Sequence, residues 1–210
     1  MADFYTFAYV EDAPAQAVLS KIVDYVNLGR ENHFYLEVPP VITKGSGNLK
    51  NTAMRFLRAK DKVHSIFFTD LDNIDSPTVL CNNWFKLPCL RMLPKSMIFR
   101  VACHEVESWI IADKTGFANF LEISDVNFPD TPDQLTDPKQ YLFNVIRSKC
   151  RKKKYLDMLP QKNQKVGLEY DSMLTDFVNS KWNIEKAMMR SPSLRRAVNR
   201  MVLRLEEDGR

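Results

Sequence analysis

Residues 65–73 read SIFFTDLDN, an apolar run that ends abruptly in two aspartates, Asp70 and Asp72. Aromatic and β-branched residues with almost no polar interruption predict a strand over Ser65–Thr69, buried on both faces as in a parallel sheet. Open sheets of that kind place their ligands at the carboxyl ends of the strands, which is where both acids fall. In extended backbone, residues two apart point to the same side, so Asp70 and Asp72 are expected to meet. Two adjacent carboxylates repel unless a cation lies between them. A few hard oxygen donors suit Mg²⁺ (or Mn²⁺), which keeps several of its waters. The competing reading is a loop start that caps the next helix, since aspartates after strands are common.

Three more segments resemble that strand: Phe4–Val10 (FYTFAYV), Phe34–Val38 (FYLEV) and Met97–Cys103 (MIFRVAC). Helical patterns separate them, at Ala13–Asn27, Leu49–Ala59, Thr78–Leu87 and Glu105–Asp113, the last continuing past a break near Gly116 to Leu121. The alternation predicts right-handed βαβ units. Residues 1–123 are therefore expected to form an open, mainly parallel α/β sheet flanked by helices. Pro129, Pro132 and Pro138 punctuate a loop over Ser124–Asp137. Beyond it only helices are expected, at Pro138–Lys152, Tyr170–Val178, Asn183–Met189 and Ser193–Glu206, so that residues 124–210 make a helical extension packed on the sheet.

The bulk numbers narrow the function classes. With 210 residues, 45% hydrophobic and 27% charged, the chain suits one sizeable globular domain and not a disordered one. Residues 1–138 hold 13 Lys+Arg against 18 Asp+Glu, whereas residues 139–210 hold 17 against 8. An acidic front beside a basic end suits metal chemistry in one part and a polyanion contact in the other. No two of Cys81, Cys89, Cys103 and Cys150 are spaced C-x-x-C, which excludes zinc-knuckle and thioredoxin-type motifs and predicts reduced thiols. The start lacks a basic stretch followed by an apolar run, and no apolar run approaches the ~20 residues that span a bilayer. A cytoplasmic protein without membrane contact is expected.

Glu11 directly follows the first strand and reaches the same edge as Asp70 if strands one and three are neighbours. Asp12 is placed to cap the helix that opens around Pro14. Three acids on two strand ends could hold one or two Mg²⁺ ions, which stabilise charge at a phosphoryl centre and activate a water. In HEVESWIIAD (residues 104–113), Glu105 and Glu107 would face opposite ways on a helix and could not both serve one site. Negative charge at a helix start stabilises Glu105 for structural reasons alone. His104 reads as a capping residue rather than a general base, and Trp109 and Ile110 as core. TKGSGNL (residues 43–49) lacks the G-K-[ST] of a phosphate-binding P-loop and reads as a plain loop, although Lys44 could neutralise a scissile phosphate. Arg151, Lys152, Lys153 and Lys154, with Arg195 and Arg196 further on, would contact nucleic-acid phosphates or else face an acidic partner.

The order of these pieces resembles the TOPRIM domain of topoisomerases, primases and OLD-type nucleases. More specifically, the chain is similar to a TOPRIM-like family whose genes often sit beside ATPase genes in bacterial anti-phage loci. The matching pieces are KGSGNL, FFTDLDN, EVESWIIAD, LTDPKQYL and SPSLRRAVNRM, and E-x-W-x-x-x-D followed by D-P-K is the most specific of them. The resemblance implies a magnesium-dependent nuclease acting on DNA or RNA as the effector of an ATPase partner, with homo-oligomers an open question. It implies that Glu11, Asp70 and Asp72 bind the metal and that Glu107 completes or supports their site. One position departs from the pattern: TOPRIM domains usually carry a glycine after the first acid, and here it is Asp12. The other reading is a non-catalytic subunit of the same fold that docks an ATPase through its helical third.

Overall fold

The computed structural model describes residues 3–59, 63–123 and 128–207. Strand β1 (Asp3–Val10) leads into helix α1 (Ala13–Asn27), then β2 (His33–Tyr35), β3 (Val41–Ile42), α2 (Ser46–Ala59), β4 (His64–Asp70), α3 (Pro77–Phe85) and β5 (Met97–Ala102). The sheet runs β2-β1-β4-β5, with β3 also on β1, and every pairing is parallel. Tyr9 pairs with Phe67 and Asp70 with Ala102, so strands β1 and β4 are neighbours, as the proposed reach of Glu11 requires.

The SIFFT run is buried on both faces because both are covered. Ile66 and Phe68 join a cluster with Val18, Ile22 and Trp109, while Phe67 on the opposite face packs with Leu49, Trp84 and Phe99. α1 begins where Asp12 caps it, its carboxylate accepting the Ala15 N–H at 2.9 Å with a proline in the first turn. The remaining helices are α4 (Glu107–Ile110), α5 (Lys114–Phe120), α6 (Pro138–Lys149), α7 (Lys153–Leu156), α8 (Tyr170–Ser180), α9 (Ile184–Arg190) and α10 (Pro192–Glu207). They bury Leu142, Phe177 and Leu194 in the same cluster as Ile22 and Ile66, so the helical end and one sheet face share a core.

Several boundaries differ from those expected. The second strand stops at Tyr35 instead of Val38, and the two-residue β3 is too short to leave a pattern. The helix expected at Glu105–Asp113 is a single turn starting at Glu107, and it does not reach Asp113, which turns away to cap α5 by accepting the Gly116 N–H. The helix from Pro138 ends at Lys149, three residues early. Of the expected loop at Ser124–Asp137, residues 124–127 lie outside the described residues, and Pro132–Gln134 forms a 3-10 turn. No helix among the described residues is long and apolar enough to cross a membrane.

Candidate metal centre at the carboxyl edge

Glu11 and Asp70 come together because their strands end side by side. One Glu11 oxygen, Oε1, accepts the Thr69 hydroxyl at 2.6 Å and the Asp70 N–H at 3.2 Å. Asp70 Oδ1 accepts the Val106 N–H at 2.9 Å. Each carboxylate is thus fixed by one oxygen, and among the described residues no hydrogen bond engages Glu11 Oε2 or Asp70 Oδ2. A cavity of ≈ 10 Å³, room for about one water, lies beside them among Thr69, Ala102 and Val106.

Behind this pair stands Glu107, buried at 2% exposure. Its Oε1 accepts the Tyr170 hydroxyl at 2.7 Å and lies 3.4 Å from Lys139 Nζ, and its Oε2 is buried without a hydrogen bond. Lys139 also pairs with Glu105 at 3.2 Å, and its backbone N–H donates to the other Glu105 oxygen at 2.9 Å. Glu105 and Glu107 therefore serve one centre. The expectation that they face opposite ways fails because Glu105 precedes the helix and lies in the turn before it.

Electrostatics follow from this crowding. Burial raises the pKa of Asp70 well above the carboxylate range, and the Glu107, Glu11 and Asp12 charges add to the rise. Burial likewise raises Glu11, against the hydrogen bonds from Thr69 and Asp70 that favour its charge. Glu107 is raised by burial against the attraction of Lys139 and the Tyr170 hydroxyl. Burial opposes the charge on Lys139, yet Glu107, Glu105 and Asp70 overcome it and raise its pKa. Five carboxyl groups, with Asp12 and Glu105 counted, feel one ammonium, so the cluster is short of positive charge.

Asp72 stands differently from the extended D-x-D expected. β4 ends at Asp70, and Asp72 adopts a left-handed conformation (φ 50°) that a non-glycine residue visits rarely. The turn is held by the Asp72 N–H donating to the His104 carbonyl (2.8 Å) and by the His104 Nδ1 contact to the Asp72 carbonyl (3.1 Å). His104 is thus a brace for this turn, whereas the residue at the start of α4 is Val106. The Asp72 carboxylate is exposed at the rim, near enough to raise the Glu11 pKa. Asp12 has an extended backbone (φ −146°) that any residue adopts, and its side chain caps α1.

The stretch Thr43–Leu49, expected as a plain loop, is a turn only as far as Gly45, since Ser46–Leu49 open α2, and that turn reaches the same edge through its backbone. Thr43 N–H donates to the Val10 carbonyl at 2.9 Å and Lys44 N–H to the Glu11 carbonyl at 3.1 Å, which sets the exposed Lys44 beside Glu11. The other basic candidates lie apart: among the described residues, no contact joins them to the acids. Lys152 and Lys154 both pair with Glu122, Lys154 at 3.2 Å, and Arg151 and Lys153 are exposed beside them. Arg195 and Arg196 are exposed on α10.

Sequence reasoning missed Lys139 and Tyr170. The signal was D-P-K: Asp137 caps α6 by accepting the Gln140 N–H at 2.7 Å, Pro138 opens the helix, and Lys139 enters the acids from its first turn. The other distant motifs also meet. Trp109 Nε1 donates to Ser193 Oγ at 2.6 Å, and Asp113 accepts the Asn183 N–H at 2.9 Å.

The donor set fits a hard divalent ion. It offers carboxylate oxygens only, two of them without a hydrogen bond among the described residues, in a cluster with surplus negative charge. Among the described residues no three acids, histidines or cysteines stand close enough together to enclose an ion. Mg²⁺ does not require that, since one or two carboxylates and water complete its shell. Compared with protein-family models, with curated proteins and with solved structures, the chain shows no match to any of the three.

Proposed function

We propose that the chain is a TOPRIM-like, Mg²⁺- or Mn²⁺-dependent nuclease that hydrolyses phosphodiester bonds in DNA or RNA, and that it works as the effector of an ATPase partner in anti-phage defence. The observation that carries the reading is the joining of Glu11 and Asp70 at the ends of neighbouring parallel strands, each with one oxygen fixed and the other without a hydrogen bond among the described residues. Glu11, Asp70 and the rim carboxylate Asp72 would hold the ion, which when bound would polarise the phosphoryl group and lower the pKa of an attacking water.

The chain's own residues supply the rest. Thr69 and the Val106 N–H orient the two carboxylates so that their other oxygens are preset. Glu107, held by Tyr170 and Lys139, keeps negative charge behind Asp70 and strengthens its demand for a cation. Lys44, exposed beside Glu11, is placed to neutralise a phosphate on the strand being cut. Arg151, Lys152, Lys153, Lys154, Arg195 and Arg196 would add sequence-independent attraction that weakens with salt.

The test is incubation of the purified protein with plasmid, single strands and tRNA in Mg²⁺ or Mn²⁺. Cleavage by the wild type and its loss in Asp70→Asn is the expected result, and cleavage that survives Asp70→Ala with Asp72→Ala would sink the reading.

Two observations favour a second reading, a non-catalytic subunit that docks a partner. Lys139 already compensates Glu105 and Glu107, and the cavity beside Asp70 holds no more than about one water. Under that reading divalent ions would neither bind nor alter stability, while the fold would stay intact.

A further inference from the structure

We propose that the free edge of β5 is a docking groove for an acidic, extended segment of a partner protein, bound by strand addition. The proposal is independent of the metal chemistry.

β5 is the last strand of the sheet and, among the described residues, pairs with β4 alone. Ser65 N–H donates to the Ser96 carbonyl and Leu71 N–H to the Ala102 carbonyl. The even-numbered peptide groups of β5 thus point to β4, and the main chain of Phe99 and Val101 points outward. A groove of ≈ 580 Å³ runs along this side, lined by the consecutive residues Met97, Ile98, Phe99 and Arg100. Neighbours in a strand point to opposite faces, so all four can line one groove only if it follows the edge. Leu90 and Leu93 form one wall and Arg200 of α10 stands on the other. A strand edge with no second strand partner among the described residues, set in a groove with apolar walls, is a template for another strand.

The charge names the partner. Arg91, Arg100 and Arg200 line the groove and, among the described residues, no acid does; a smaller cleft next to it, ≈ 220 Å³, adds Arg196 beside the same Arg100. Arg100 is partly buried on β5 without an ion pair among the described residues, and burial with the Arg200 and Arg196 charges lowers its pKa to about 10. Arg200 has a carboxylate in range, Glu207 at 3.6 Å, with both side chains near half exposed. Clustered cations around a half-buried guanidinium are relieved by an anionic occupant. Free main-chain groups and leucine walls favour a polypeptide over a nucleic acid, which would find no exposed aromatic platform in this groove. At ~3.3 Å per residue the six residues of β5 give the partner about 20 Å of edge.

The experiment uses the full chain and a short fluorescein-labelled peptide of alternating glutamate and valine, followed by anisotropy and amide hydrogen exchange. The expected result is salt-sensitive binding, slower exchange at the Phe99 and Val101 amides, and affinity reduced roughly tenfold or more in Arg91→Glu with Arg200→Glu. Both substitutions lie at surface positions, and Arg100→Gln serves as a second variant with the same expected direction. Absence of binding, or binding indifferent to these arginines, would overturn the proposal and leave them as guards against edge-to-edge association. Displacement of the peptide by an oligonucleotide that also needs the arginines but leaves both amides unprotected would overturn it in favour of a nucleic-acid groove.

Discussion

Lys139 is the residue on which the acid cluster depends most. It is the ammonium within 3.4 Å of both Glu105 and Glu107, at 27% side-chain exposure. Replacing it by Met leaves Glu107 buried without a counter-charge, and removing one partner of such a pair costs about 2–4 kcal/mol once the residual exposure is allowed for. Urea denaturation at neutral pH should show that loss, and a smaller one in acid, where the carboxyls take up protons and need no partner. Equal losses at both pH values would show that Lys139 acts by packing. Tyr170→Phe removes the hydroxyl from Glu107 and should cost about 1–3 kcal/mol, since it leaves a buried carboxylate less satisfied. Acidic candidates were legible in the sequence because a strand end announces them. Lys139 and Tyr170 were not, because they come from helices dozens of residues away and only tertiary packing makes them partners.

Among the elements, the strands were the most readable. SIFFT, FYTFAYV and MIFRVAC gave β4, β1 and β5 because hydrophobicity on both faces leaves little alternative. β3 escaped because two residues carry no period, and the helix over Glu105–Asp113 was misread because a cap overrode its helical pattern: Asp113 bonds Gly116 and Asn183 instead of continuing the turn. The late start at Glu107 matters as well, since it leaves Glu105 in the turn before the helix and able to share Lys139 with Glu107. The D-P-K start of α6 is the matching device on the other side. Asp137→Ala should cost about 1 kcal/mol from loss of the cap. It should also loosen the first turn that carries Lys139, so its effect and that of Lys139→Met should sum to less than their separate values. Strict additivity in the double variant would mean that the cap does not position the lysine.

For the molecule as a whole, the acidic edge makes stability depend on pH and on cations together. Glu11, Asp12, Asp70, Glu105 and Glu107 all titrate higher when folded than their unfolded values near 4. The folded state then holds more protons than the unfolded one above that pH. Stability should fall as pH rises from about 4 through the raised values and then level off. Lys139, also raised, loses its contribution in the same direction as pH rises, but only in strong alkali, outside this window. Chemical denaturation in a chelator at about pH 5 and about pH 7.5 checks this, with Asp70→Asn expected to flatten the slope. A divalent ion bound to the ionised carboxylates should restore the stability lost at neutral pH, because binding to the folded state alone lowers its free energy and so raises the free energy of unfolding. The most direct test of the metal centre is calorimetric titration of Mn²⁺ into the wild type and Asp70→Asn at neutral pH. Saturable binding by the wild type, abolished in the variant while its fold is intact, is the predicted result; no binding, or equal binding by both, would contradict it.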